Sequence, residues 1–172
     1  IATKFARHFA GDTPPAALVA RLETDFRQSG GDLVSLTRTL IDSPEAWVSG
    51  PVKFRAPFEW LVAALRLTGT TNLDPQRSVG ALTELGQVPW RAPSPAGYDD
   101  HAASWAGPDA LIRRVDLAER IARNGSPSSV IPQARVAFGG TLSETTLTQL
   151  QRAESDQQAL ALLLVSPEMM RR

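Results

Sequence analysis

Two histidines are the only imidazoles in the chain, and each lies near carboxylates. His8 sits one residue after Arg7, four after Lys4, and four before Asp12. An imidazole and a carboxylate are the common currency of general acid–base catalysis, so His8 and Asp12 are the first catalytic candidates. The plainer reading is that a histidine near a helix C-terminus complements the helix dipole. His101 follows Asp99 and Asp100 directly. This run is a third catalytic candidate, and two carboxylates with an imidazole could also touch a hard or borderline metal ion. Adjacent side chains on extended backbone point opposite ways, however, and no second cluster completes a coordination shell. The expectation is therefore a solvated acidic turn, with no metal and no cofactor.

Trp90, Tyr98 and Trp105 lie close together, separated by proline and glycine. Aromatic platforms of this kind stack on sugar rings, bases or proline-rich peptides. The same spacing also pins a long loop onto a helical body, which is the simpler reading. Ser43 and Ser143 are in helix-cap contexts, without the Gly-x-Ser-x-Gly frame of an activated serine. Phosphate-binding glycine loops and the His-Glu-x-x-His metal motif are absent from the sequence.

The elements that must position these residues are helical. Ile1, Phe5 and Phe9 recur at four-residue spacing, which predicts a first helix with those side chains inward. Thr13 and Pro14 predict the start of a second helix, with Leu18, Leu22 and Phe26 as its stripe. Asp32 should cap a third, carrying Leu33, Leu36, Leu40 and Ile41. Ser43-Pro44-Glu45 opens a short helix that holds Trp47. Pro57, Pro75 and Pro108 each predict a helix start. Between Gly86 and Gly107 the prolines exclude regular helix, and the aromatics predict a long ordered loop across the surface. Ser126 to Gly140 is expected to be irregular, with strand-like pieces at Val130-Ile131 and Val136-Ala137-Phe138. Thr141 and Glu144 predict a capping box, and Leu160 to Val165 a last helix. One echo stands out: Ser43-Pro44-Glu45 and Ser166-Pro167-Glu168 both follow an apolar helix. Because Ser-Pro-Glu is good capping chemistry, local convergence is the simpler account.

Composition bounds the rest. Lys plus Arg and Asp plus Glu both number 18, so there is no basic footprint for nucleic acid. Without cysteine, disulfides, thiolate nucleophiles and cysteine-based zinc sites are excluded. No apolar run approaches the ~20 residues of a membrane span. The expected fold is all-α: an irregular bundle of roughly seven to nine helices in a single domain over 1–172. Beginning at Ile1 with neither Met nor leader, the sequence reads as a fragment of a larger protein.

Several blocks carry a family resemblance. They are Lys4-Phe5-Ala6-Arg7-His8-Phe9 with Pro14-Pro15, and Gly30-Gly31-Asp32-Leu33 running to Ser43-Pro44-Glu45. Lys53-Phe54-Arg55-Ala56-Pro57-Phe58-Glu59 is another, followed by Leu85-Gly86-Gln87, Pro93, Gly97 and Trp105. In this order they resemble the C-terminal part of the bacterial family DUF1800. Tyr98 stands where that family usually has Trp, and Asp99-Asp100-His101-Ala102 replaces expected glycines. The resemblance implies a bacterial protein with a further N-terminal portion as partner, exported to the periplasm or secreted. It supplies no activity and no catalytic residues. The leading expectation is a structural or binding module that offers Trp90, Tyr98 and Trp105 to a polysaccharide or envelope protein. The alternative is part of a hydrolase-like enzyme, its site completed by the N-terminal portion.

Overall fold

A computed structural model describes residues 1–47, 50–125 and 129–172. Among these residues the chain forms ten α-helices and no strand, which is the expected all-α class. The chain divides into two compact units, Ile1–Lys53 and Phe54–Arg172.

The first unit holds α1 (Ala2–Ala10), α2 (Ala16–Gln28) and α3 (Leu33–Ile41), followed by a 3-10 turn at Pro44–Ala46. Its core is built from the small side chains Ala2, Ala6 and Ala10 of α1 against Leu18, Leu22, Leu36 and Leu40. The sequence pattern had placed Ile1, Phe5 and Phe9 inward. Instead Ile1 and Phe9 are exposed and Phe5 half-buried. An alanine face lets two helices approach closely, and that closeness outweighs the larger but wider phenylalanine stripe. Leu33 and Ile41 are likewise exposed, while Leu36 and Leu40 are buried.

Asp32 caps α3 as expected, accepting from Val34 N at 3.2 Å and Ser35 N at 2.9 Å. Thr13 does not cap α2, whose N-cap is Pro15 without a side-chain bond. The predicted short helix at Ser43 is the single 3-10 turn, and the Ser43 hydroxyl donates back to Thr39 O at 2.6 Å rather than capping it. Trp47 follows that turn and donates its indole N–H to Ile41 O at 2.7 Å.

The second unit contains α4 (Pro57–Leu67), α5 (Pro75–Glu84), α6 (Pro108–Asn124), α7 (Val130–Phe138), α8 (Glu144–Gln151), α9 (Asp156–Leu164) and α10 (Pro167–Met170). Its core gathers Trp60, Ala64, Ala118, Leu160, Leu163 and Leu164 among others. Each fully buried leucine contributes about 1.5–3 kcal/mol of transfer free energy. Trp60 also donates its indole N–H to Leu164 O at 3.0 Å, tying α4 to α9.

Helix α7 corrects the strand-like reading of Val130-Ile131 and Val136-Ala137-Phe138. Val130, Ala134 and Phe138 are spaced for one helical face, and Val130 and Ala134 are buried. Pro132 falls in the first turn, where a missing N–H removes no intrahelical bond. Of that expected irregular stretch, Ser126 to Ser128 lie outside the described residues, and Gly139–Thr141 form a 3-10 turn. The predicted capping box also shifts: Ser143, not Thr141, caps α8 and accepts from Thr146 N at 3.2 Å.

The Ser-Pro-Glu echo extends beyond the triplet. Helices α3 and α9 have the same length of nine residues. Their side-chain caps Asp32 and Ser155, buried Leu40 and Leu163, and buried Ser43 and Ser166 align position for position. Upstream, Ala6-Arg7 before Gly11 aligns with Ala134-Arg135 before Gly139, and both alanines are fully buried. Each unit thus contains three successive helices and a Ser-Pro-Glu turn in the same order. The agreement is confined to the flanking helices and the turn, since the middle helices differ, α2 with 13 residues and α8 with 8.

Candidate functional site

The most distinctive geometry lies in the segment between α5 and α6. It starts by leaving α5 through Gly86, at φ +86°, a left-handed conformation that glycine adopts without steric cost. Gln87 then accepts from Phe58 N at 2.7 Å, satisfying an amide in the first turn of α4. The segment ends on Trp105, which is buried, and α6 begins at Pro108. Both ends of the loop are therefore fixed to the helical body of the second unit.

Asp99 organises the interior of the loop. One carboxylate oxygen accepts from Asp100 N at 2.8 Å and lies 2.7 Å from His101 Nδ1. The other accepts from the Ser104 hydroxyl at 2.5 Å. The Asp99 carbonyl takes the Trp105 indole N–H at 2.9 Å. The Ser104 hydroxyl, helped by His101, holds the Asp99 carboxyl well below the usual carboxylate range. Tyr98 leans on Trp105, with ring centroids 5.9 Å apart. Its hydroxyl lies 2.7 Å from Val88 O and 3.0 Å from Arg91 O, so its one proton bridges the two carbonyls that flank Pro89-Trp90.

Those two carbonyls bracket a tight turn, closed by Arg91 N donating to Val88 O at 3.2 Å. Proline takes the second position and Trp90 the third. Trp90 has φ +61° and its side chain is fully exposed. A positive φ at the third position is the signature of a type II turn, where glycine is usual. A tryptophan there costs on the order of 1–2 kcal/mol.

The sequence candidates therefore separate. Trp105 and Tyr98 pin the loop, as the simpler reading had it, whereas Trp90 projects into solvent. Asp99, His101 and Ser104 come together, but with the carboxylate in the middle. Activation of a serine requires its hydroxyl to meet the imidazole, and here both bond to Asp99. Asp100 contributes its amide to the same turn. Among the described residues no group of three metal-ligating side chains gathers in one place.

His8 and Asp12 belong to the first unit. His8 is exposed, with its ring edge-on to Phe9 at 4.9 Å. Asp12 accepts from Lys53 Nζ at 2.8 Å, and the Lys53 side chain is only 2% exposed. Lys53 is buried, and the Arg55 guanidinium binds Met169 O at 2.6 Å and Glu168 O at 3.2 Å. Burial lowers the Arg55 pKa. Glu59 reaches back to Ala56 N at 3.0 Å and closes the first turn of α4. The polar side chains of this stretch bond within the fold.

Sequence reasoning missed the positive φ of Trp90. The available signal was Pro89 followed by Trp90 where a Pro-Gly turn would place its glycine, together with Tyr98 downstream.

A family model described as "Protein of unknown function (DUF1800)" matches residues 1–171, essentially the whole chain. No curated protein matches the chain, and no solved structure matches it.

Proposed function

The chain belongs to the DUF1800 family, a family that supplies no activity to carry over, and we propose from the loop geometry that it is a carbohydrate-binding module of an exported bacterial protein. Trp90 carries the reading. It is a fully exposed indole on a left-handed backbone, and a fold keeps such strain where it serves a purpose. An exposed indole is a flat apolar face with a polar edge, suited to the C–H face of a sugar ring. The frame of Tyr98, Asp99 and Trp105 fixes the turn before any ligand arrives, which lowers the ordering cost of binding. The resemblance supports a periplasmic or secreted location, with the N-terminal portion of the same protein as a neighbour. No helix among the described residues is long and apolar enough to cross a membrane.

The test is a tryptophan-fluorescence titration with a panel of neutral and acidic soluble polysaccharides. At least one should shift or quench the emission saturably. The response should vanish in Trp90→Ala and persist in Trp47→Phe, which removes the other highly exposed indole. A response that survives in Trp90→Ala, or none from any polysaccharide, overturns the proposal.

A further inference from the structure

A second feature of the larger unit lies apart from the loop, and none of Trp90, Tyr98, Asp99, His101 or Trp105 lines it. It is a cleft of about 600 Å³ between α4, α5 and α6. Its floor is apolar, formed by Leu61 and Leu65 of α4 with Leu117 and Ile121 of α6. Leu61 and Leu117 are buried, while Leu65 and Ile121 remain half-exposed toward the opening. The cleft stays open because of α5, which buries only Leu82. That helix turns Arg77, Gly80, Ala81 and Glu84 toward it.

Gly80 is the unexplained residue. It lies inside α5 without a positive φ, so the backbone does not require glycine. A Cβ built there would meet nothing within 4 Å outside its own helix, so packing does not require it either. A glycine in a helix interior costs about 0.5–1 kcal/mol relative to alanine. Without a side chain there, the α5 backbone lies open to an occupant of the cleft.

The charges at the rim describe that occupant. Arg120 lies 2.5 Å from Glu84 and Arg77 3.3 Å from Asp74, so each rim cation already faces a carboxylate. With Asp74 and Glu84 set against Arg77 and Arg120, the rim carries no net charge, which suits a neutral ligand. Thr70 Oγ1 lies 2.8 Å from Thr68 Oγ1, and the uncharged Asn72 and Asn124 complete the polar edge. The volume lies within the range of small-molecule clefts, roughly 300–1,000 Å³. We propose that the α4–α5–α6 cleft binds a neutral, predominantly apolar small molecule that lies against the backbone at Gly80.

The probe is N-phenyl-1-naphthylamine, a neutral dye that brightens in apolar surroundings, titrated against the protein and two variants. Wild type should give a saturable enhancement. Gly80→Leu fills the cleft and should weaken apparent affinity by about tenfold or more. Its thermal midpoint should match or exceed wild type, since leucine is the better helix former. Gly80→Ala should be intermediate, and it covers the case in which the leucine variant fails to fold. The anionic probe 1-anilinonaphthalene-8-sulfonate should bind no more tightly than the neutral one. The proposal is overturned if wild type shows no saturable signal, if both variants bind as wild type does, or if only the anionic probe binds. None of these outcomes bears on Trp90, so the two proposals stand or fall separately.

Discussion

The carboxylate of Glu168 accepts the Thr146 hydroxyl at 2.9 and 3.1 Å, and one of its oxygens also takes the Ser143 amide at 2.9 Å. The third residue of a Ser-Pro-Glu turn thereby closes the N-terminal end of α8. In the first unit the matching Glu45 reaches the corresponding middle helix, α2, through a two-pronged pair with Arg21 at 2.8 and 2.9 Å. The two turns share a brace from the turn to the middle helix, although its chemistry differs: a buried hydroxyl in one, an exposed guanidinium in the other.

The buried brace should be the costlier one to break. Thr146→Val keeps the shape but leaves a buried carboxylate short of a donor, an expected loss of about 1–3 kcal/mol. Glu45→Gln, at an exposed pair, should move the thermal midpoint little. Parallel thermal melts check the ranking, and equal losses at the two sites would contradict it.

Glu168 also makes stability depend on acid. Burial pushes its pKa up, but the bonds from Ser143 and Thr146 outweigh that, and the net shift is downward. A carboxyl with a depressed folded pKa binds its proton more readily in the unfolded chain. Its stabilisation is complete above the unfolded value near 4.5 and is lost as pH falls through the folded value. Melts of Glu168→Gln between about pH 6 and pH 2.5 should therefore decline less steeply than wild type. Parallel curves would show that Glu168 does not carry the dependence.

Much of the fold was legible because caps and breakers are local. Asp32 and Pro75 announce α3 and α5, and sit at the N-cap of the one and the first position of the other. The failures share a cause. At α1 the largest side chains set the predicted face, yet the alanines are buried, because close packing follows the partner helix and not the hydrophobic residue alone. At α7 the β-branched residues masked a four-residue spacing. For the loop, the sequence grouped three aromatics but could not sort them. Trp105 is buried and Trp90 is exposed on a positive-φ backbone, and composition carries no record of either.

Lys53 and Asp12 offer a test of buried charge. Asp12 retains some exposure, so water screens part of the interaction. Asp12→Ala should still cost about 2 kcal/mol, because it takes a carboxylate from a buried ammonium. Lys53→Met removes the charge that needs compensation and should cost less. Adding Lys53→Met to Asp12→Ala should recover part of the loss, a coupling that a double-mutant cycle by urea unfolding measures. If the two losses simply add, the pair contributes nothing through its charges.

Trp90 separates stability from binding. At φ +61° a Cβ crowds the neighbouring carbonyl, and glycine alone escapes that contact. Trp90→Ala and Trp90→Gly both remove the indole, and both should abolish any polysaccharide response. They should differ in stability in an unusual direction. Glycine is normally the more destabilising of the two, yet here Trp90→Gly should be more stable than Trp90→Ala by about 1 kcal/mol. Denaturant unfolding of the two variants decides it. If alanine is the more stable, the turn is not held left-handed in solution, and the argument that strain is kept there for binding loses its premise. If glycine wins while both fail to bind, the protein carries at Trp90 a side chain its fold would be better without.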